Sequence, residues 1–208
     1  FYTPLYSEEE GINLLEENSI RDEKISNKKL AAIEEEAALE GVQKLNPYAV
    51  IMDGSLIRYK IVCSEKWERL KDECEKRNIL LVGVIKDIKT SIIRDSIKDD
   101  NSLSIKECFN DKELLYGLLD YGEVILTNIN TKKEMRGFAS LFMRSSQAPT
   151  VIGMDILKSQ QSYILEMARL VFTLTPKHSR GVPLWLDIID SEVKIPDRMI
   201  RSLLESYL

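Results

Sequence analysis

At 208 residues, 44% of them hydrophobic, the chain is long enough to bury one substantial core, and its composition excludes a disordered or collagen-like protein. A net charge of −5 argues against a protein that coats nucleic acid, because phosphate binding draws its affinity from Lys and Arg. No run approaches the roughly 18 apolar residues of a membrane helix, and no basic stretch with an apolar core marks secretion, so a soluble, cytoplasmic protein with no membrane partner is expected.

In chain order, residues 1–25 are polar and acidic without a sustained period and read as an irregular lead-in. From Ser26-Asn27 a helix is predicted to Leu45, stopped by Asn46-Pro47. At about 100° per residue, Leu30, Ile33, Ala37, Ala38, Gly41 and Leu45 fall on one face, which is expected to be the buried one. Tyr48 to Met52 reads as a strand, Asp53-Gly54-Ser55 follows, and Leu56 to Val62 reads as a second strand. A helix from Ser64 to Arg77 turns Trp67, Leu70 and Cys74 inward. The run Ile79 to Ile85 is continuously apolar apart from Gly83, the mark of a strand covered on both faces, and Lys86 stands at its end.

A helix from Lys112 to Leu119 is followed by predicted strands at Val124–Asn128, Gly137–Arg144 and Thr150–Leu157. The next helix, Ser159 to Phe172, buries Ile164, Met167, Ala168 and Val171. Pro183 to Asp190 reads as a strand ending in a carboxylate, and a closing helix starts near Pro196-Asp197. With no internal repeat or low-complexity linker, one mixed α/β domain over residues 1–208, its sheet flanked by helices, is the expected architecture. The cysteines Cys63, Cys74 and Cys108 lack the spacing of a zinc or redox motif and are expected as reduced thiols.

Three acidic positions stand out by context. Asp53 ends an apolar strand, where a carboxylate lies at a sheet edge, and Gly54 lets a phosphate or metal approach the backbone. Asp-Gly between two β-like runs is equally a strong hairpin signal. Of the consecutive Glu34, Glu35 and Glu36, the helical period puts only Glu34 within the apolar arc, either buried beside a cation or at the arc's margin with its head in water. Asp187 and Asp190 follow an apolar run, one at a ligand-bearing strand end and the other beginning a turn.

A helix glutamate with strand-end aspartates is the oxygen-donor set that phosphodiester hydrolysis by two Mg²⁺ or Mn²⁺ ions requires. His178 is the only histidine, which argues against a histidine triad or a His-rich zinc site, and no glycine-rich phosphate loop appears.

Tyr48 to Leu56 with its Asp53-Gly54-Ser55, the preceding Glu34 helix and the Gly83-Val84-Ile85-Lys86 strand resemble the NurA family of DNA-end-processing nucleases. Asp53 follows Glu34 by 19 residues, as two of that family's acidic positions would require. Val182-Pro183 through Asp190 resembles the family's Tyr-Pro segment, with Val182 in place of Tyr and Asp190 where many members have His. Family members carry an earlier Asp-Gly-Ser strand, which is expected to lie upstream of Phe1.

The resemblance implies an RNase H-like core with Glu34, Asp53 and Asp190 as catalytic ligands of Mn²⁺ or Mg²⁺. It also implies Lys86 as a phosphate contact; by their places in the chain, Arg144 on a later strand and Arg180 before Pro183 are candidates to line the same groove. The implied activity is that of a metal-dependent DNA nuclease, both a single-strand endonuclease and a 5′–3′ exonuclease, acting in end resection and double-strand break repair. A homodimer working with a HerA-type hexameric helicase is implied as well. Two alternatives share these residues: a non-catalytic RNase H-like binding or assembly module, and an RNA-directed nuclease.

Overall fold

The structure is a computed structural model that describes residues 8–97, 110–127, 136–193 and 205; for residues 8–26 and Asp190 it describes the backbone alone. The first helix, α1, runs over Glu8–Leu45, 38 residues, so it starts inside the segment expected to be irregular. That segment has no repeating apolar face, but Glu, Leu, Arg and Lys are good helix formers, and the acids at its start suit the positive helix end. Asn46, at φ 44°, terminates α1 where Asn46-Pro47 predicted, its N–H still bonded to Val42 O at 3.2 Å.

The buried face of α1 differs from the predicted one. Ala31, Glu35 and Val42 are buried, whereas Leu30, Ile33 and Leu45 are 50%, 63% and 78% exposed. The inward stripe is thus displaced by one residue, about 100° around the helix. Ala31, a small side chain, is fully buried on this side of α1.

Strand β1 is Ala49–Asp53. It is followed by helix α2, Leu56–Val62, where a strand was expected. Leu56 and Tyr59 are the buried residues of α2, and their three-residue spacing is the helical period that a seven-residue run cannot separate from alternation. Helix α3, Ser64–Lys76, buries Trp67, Leu70 and Cys74 as predicted. Strand β2, Leu80–Ile85, is buried at every position but the last, again as predicted. Cys63 and Cys74 are free thiols.

By internal contacts the chain forms two compact units, Phe1–Met52 with Leu56–Leu81, and Asp53–Ser55 with Val82–Leu208. The second unit holds α4 (Ile92–Ser96), α5 (Asp111–Leu114), β3 (Val124–Leu126), β4 (Phe138–Met143) and β5 (Ile152–Leu157). Its described residues also form a 3₁₀ helix (Lys158–Tyr163), α6 (Ile164–Leu174) and α7 (Leu184–Val193).

The five-stranded sheet has the order β1-β2-β5-β4-β3. β2 with β5, β4 with β5 and β3 with β4 are antiparallel. Leu80 N–H donates to Tyr48 O and Gly54 N–H to Val84 O, so partner numbers rise together and β1 runs parallel to β2. This is the expected mixed sheet of an α/β protein. The closing helix predicted from Pro196 and the end of the Val124–Asn128 strand lie outside the described residues.

Two further elements depart from the sequence reading. Pro183–Asp190, expected as a strand, is helix: α7 begins just after Pro183, buries Leu186 and exposes Trp185, Ile188 and Ile189. The helix predicted over Lys112–Leu119 keeps regular hydrogen bonding only to Leu114, although Leu115 and Leu119 remain in the core with Ile88, Phe142 and Val151. The buried Asp111 fixes the neighbouring chain. Its carboxylate accepts from the Thr90 hydroxyl at 2.7 Å and from the N–H groups of Ile92, Ile93 and Arg94 at 2.8, 3.0 and 3.1 Å, capping α4 from a distance.

Gly181, at φ +93°, has the Ser145 hydroxyl bonded to its carbonyl, and a Cβ there would lie 3.1 Å from Ser145 Oγ and 3.4 Å from Ile152 Cγ2. Gly181→Ala is expected to lower the urea midpoint, a loss of about 1–2 kcal/mol at unchanged m-value. Gly137→Ala, at φ +92° with nothing within 4 Å, should lose less; equal losses would show that crowding at Gly181 contributes nothing.

Candidate active site

The carboxylate at the end of β1 is held by its exit from the sheet. Gly54, at φ 106°, donates its N–H to Val84 O at 2.7 Å, and α2 starts at Leu56, so Asp53-Gly54-Ser55 is a strand-to-helix turn and the hairpin alternative is excluded. Asp53 remains partly accessible. Lys86, one residue beyond β2, places its Nζ 2.8 Å from Asp53 Oδ2. A second ammonium backs it: Lys112 Nζ donates to Lys86 O at 2.9 Å and to Asp87 Oδ1 at 3.2 Å. Lys86 is therefore at the strand end, as its position in the sequence suggested, and its ammonium is paired with Asp53.

The same turn is tied to a residue that the sequence reading passed over. Ser55 Oγ donates to Asp155 Oδ2 at 2.5 Å, and Ser140 Oγ donates to Asp155 Oδ1 at 2.7 Å. Asp155 is wholly buried, in a strand with no exposed residue. The register aligns Gly83, Asp155 and Ser140 on three adjacent strands, so they share one face of the sheet. A carboxylate inside the apolar run from Val151 to Leu157 was the available signal, since such a residue is retained only with partners.

In the first unit the acidic helix positions are exchanged relative to expectation. Glu34 is half-buried and its Oε2 accepts from Arg58 and from the Tyr59 hydroxyl, both at 2.9 Å, with the Arg58 guanidinium 5.0 Å from the Tyr59 ring centre. The inward carboxylate is Glu35, 1% exposed, with no hydrogen-bond partner at either oxygen among the described residues. Burial pushes its carboxyl up to about 7; Lys66 opposes the shift and Glu34 adds to it. Burial, with Glu35 behind it, also raises the Cys63 thiol, which donates to Lys28 O at 3.4 Å.

The remaining candidates are distributed elsewhere. Asp190 lies on α7 and not at a strand end, and its side chain is outside the described residues. Asp187 accepts from Arg180 Nε at 2.8 Å, which engages Arg180 in a pair on the surface. Arg144 gives Nε to Ala148 O at 3.1 Å, one terminal nitrogen to Leu119 O at 2.8 Å and the other to Gln147 O at 2.8 Å. That is a clamp on two loops, and it leaves the expected groove role without geometric support.

Among the described residues no group of three or more His, Cys, Asp or Glu side chains could hold a metal ion. Individually, the described ligand candidates have the right chemistry. Asp53 and Glu34 offer carboxylate oxygens, the donors that hard divalent ions take, and each carries a basic side chain that balances its charge.

A mixed-sheet α/β protein with a lysine-paired carboxylate at a strand end and a buried acid tied to the same turn is the class that fold and site define. The family model for the NurA domain matches residues 2–195. The chain belongs to the NurA family, a family of nucleases and hence hydrolases. No curated protein and no solved structure matches it.

Proposed function

We propose that this chain is a metal-dependent DNA nuclease of the end-resection type, with Glu34, Asp53 and Asp190 as ligands of Mn²⁺ or Mg²⁺. The observation that supports this reading is the Asp53–Lys86 pair at 2.8 Å on the strand-to-helix turn. Two ions, when bound, would divide the chemistry, one acidifying the attacking water and the other stabilising the leaving oxygen. The chain's own contribution is positioning and charge. Asp53 is fixed by the β1 backbone and the Gly54 anchor, and Lys86 presents an ammonium suited to a non-bridging phosphate oxygen. Single-strand endonuclease and 5′–3′ exonuclease activity, a homodimer and a HerA-type helicase partner complete the proposal.

The test is cleavage of matched end-labelled single-stranded DNA and RNA by the purified protein with Mn²⁺, with Mg²⁺ or with EDTA. Expected is metal-dependent cleavage of DNA in preference to RNA, stopped by EDTA; preference for RNA would make it an RNA-directed nuclease. A second reading, a non-catalytic assembly module, is favoured by one observation: Asp53, Glu34 and Asp187 are all paired with basic side chains. It predicts DNA retention without cleavage at any metal concentration.

A further inference from the structure

We infer that Asp155 is a positioning residue for this site, acting through the Ser55 hydroxyl to fix the turn that carries Asp53. The inference rests on the reading of Asp53 as a cleavage-site carboxylate. Asp155 is fully buried in the middle of β5, where its charge is tolerable only with strong donors on both oxygens. One donor, Ser140, is its direct partner on β4, a local sheet contact. The other, Ser55, lies 100 residues away in sequence and two residues beyond Asp53. Asp155 therefore joins the centre of the sheet to the turn.

The turn has two anchors. Gly54 N–H on Val84 O holds its backbone from β2, and Ser55 Oγ on Asp155 holds it from β5. Gly83, opposite Asp155 on the intervening strand, has no side chain to occupy the row between them. With both anchors in place, the backbone just after Asp53 is fixed, which narrows the positions its carboxylate can take. Removing the Ser55 anchor frees that side while leaving Asp155 with Ser140. Displacement of a reacting group by about 1 Å costs on the order of 10²-fold in rate.

The experiment compares two serines that donate to the same carboxylate. Steady-state cleavage of single-stranded DNA with Mn²⁺ and thermal melting are measured for the full chain and for Ser55→Ala, Ser140→Ala and Ser55→Thr. Expected is a fall in kcat of roughly 10–100-fold for Ser55→Ala with KM nearly unchanged. Ser140→Ala should stay within about threefold of the parent despite a comparable fall in melting temperature, and Ser55→Thr, which restores the hydroxyl, should recover most of kcat.

Equal kcat losses in the two alanine variants would reduce Asp155 to a structural residue and overturn the inference, as would an unchanged kcat in Ser55→Ala. In both cases the parent still cleaves, so the nuclease reading stands. A parent that cleaves no DNA under any metal condition overturns the nuclease reading and the positioning role with it. Because the serine variants leave the buried acid in place, the outcome does not depend on whether Asp155→Asn folds.

Discussion

Asp53→Ala should abolish metal-dependent DNA cleavage, a loss of at least about 10²-fold, while the protein still melts cooperatively near the parental temperature. The two halves of this expectation have separate causes. Asp53 is the last residue of β1 and is partly exposed, and its partner Lys86 also reaches solvent, so breaking the pair removes an interaction of about 0–1 kcal/mol. For a chain of this size that is a shift of a few degrees at most. The chemical loss is larger, because a removed carboxylate takes with it both a fixed charge and a donor for the ion. Asp53→Asn, which keeps the shape and one oxygen, should be nearly as inactive. Retention of parental activity in both variants would remove Asp53 from the site.

The second large effect concerns the stability of the first unit. Glu35 should make the protein less stable at pH 8 than at pH 5, and Glu35→Gln should remove most of that difference. The carboxyl has an ordinary value of 4.5 and is held near 7 in the folded chain, chiefly by burial. Below pH 4.5 it is protonated in both states and the folded chain carries no penalty. Between 4.5 and 7 the unfolded chain ionises while the folded one does not, and stability falls. Above 7 the full penalty is present, on the order of 3 kcal/mol.

The groups around Glu35 set the size of this effect, because Lys66, the Cys63 thiol and Arg58 favour its ionised form whereas Glu34 disfavours it. Urea denaturation of the parent and of Glu35→Gln at both pH values gives the comparison. The slopes with pH are the quantity to compare, since a buried amide without partners carries its own penalty. An unchanged slope in the variant would move the titration to another residue.

How far the sequence could be read depended on how many residues each pattern spanned. β2 is a continuous apolar run and α6 repeats its apolar positions over three turns, so both periods were legible. α2 and α7 are short, and in runs such as Leu56–Val62 helical and alternating spacings coincide over so few residues that tertiary contacts decide.

The α1 face misled for a different reason. Large apolar residues such as Ile33 are expected inward, but the buried positions are Ala31, Glu35 and Val42, and that rotation exchanges Glu34 for Glu35. At the site, Asp53 and Lys86 were visible because each ends an apolar strand. Asp155 was passed over because one acid inside a strand has no periodic signature; only the pairing of β4 and β5 and the path of the Asp53 turn reveal what satisfies it.

The 100-residue separation of Ser55 from Asp155 also bears on when the site is completed during synthesis. At about 5–20 residues per second, the Asp53 turn leaves the ribosome on the order of 5–20 s before its β5 anchor. A nascent chain ending before β5 contains Asp53 and Lys86 but lacks the contact that fixes the turn. Truncated products of that kind are expected to be poor nucleases even though they contain both of those residues.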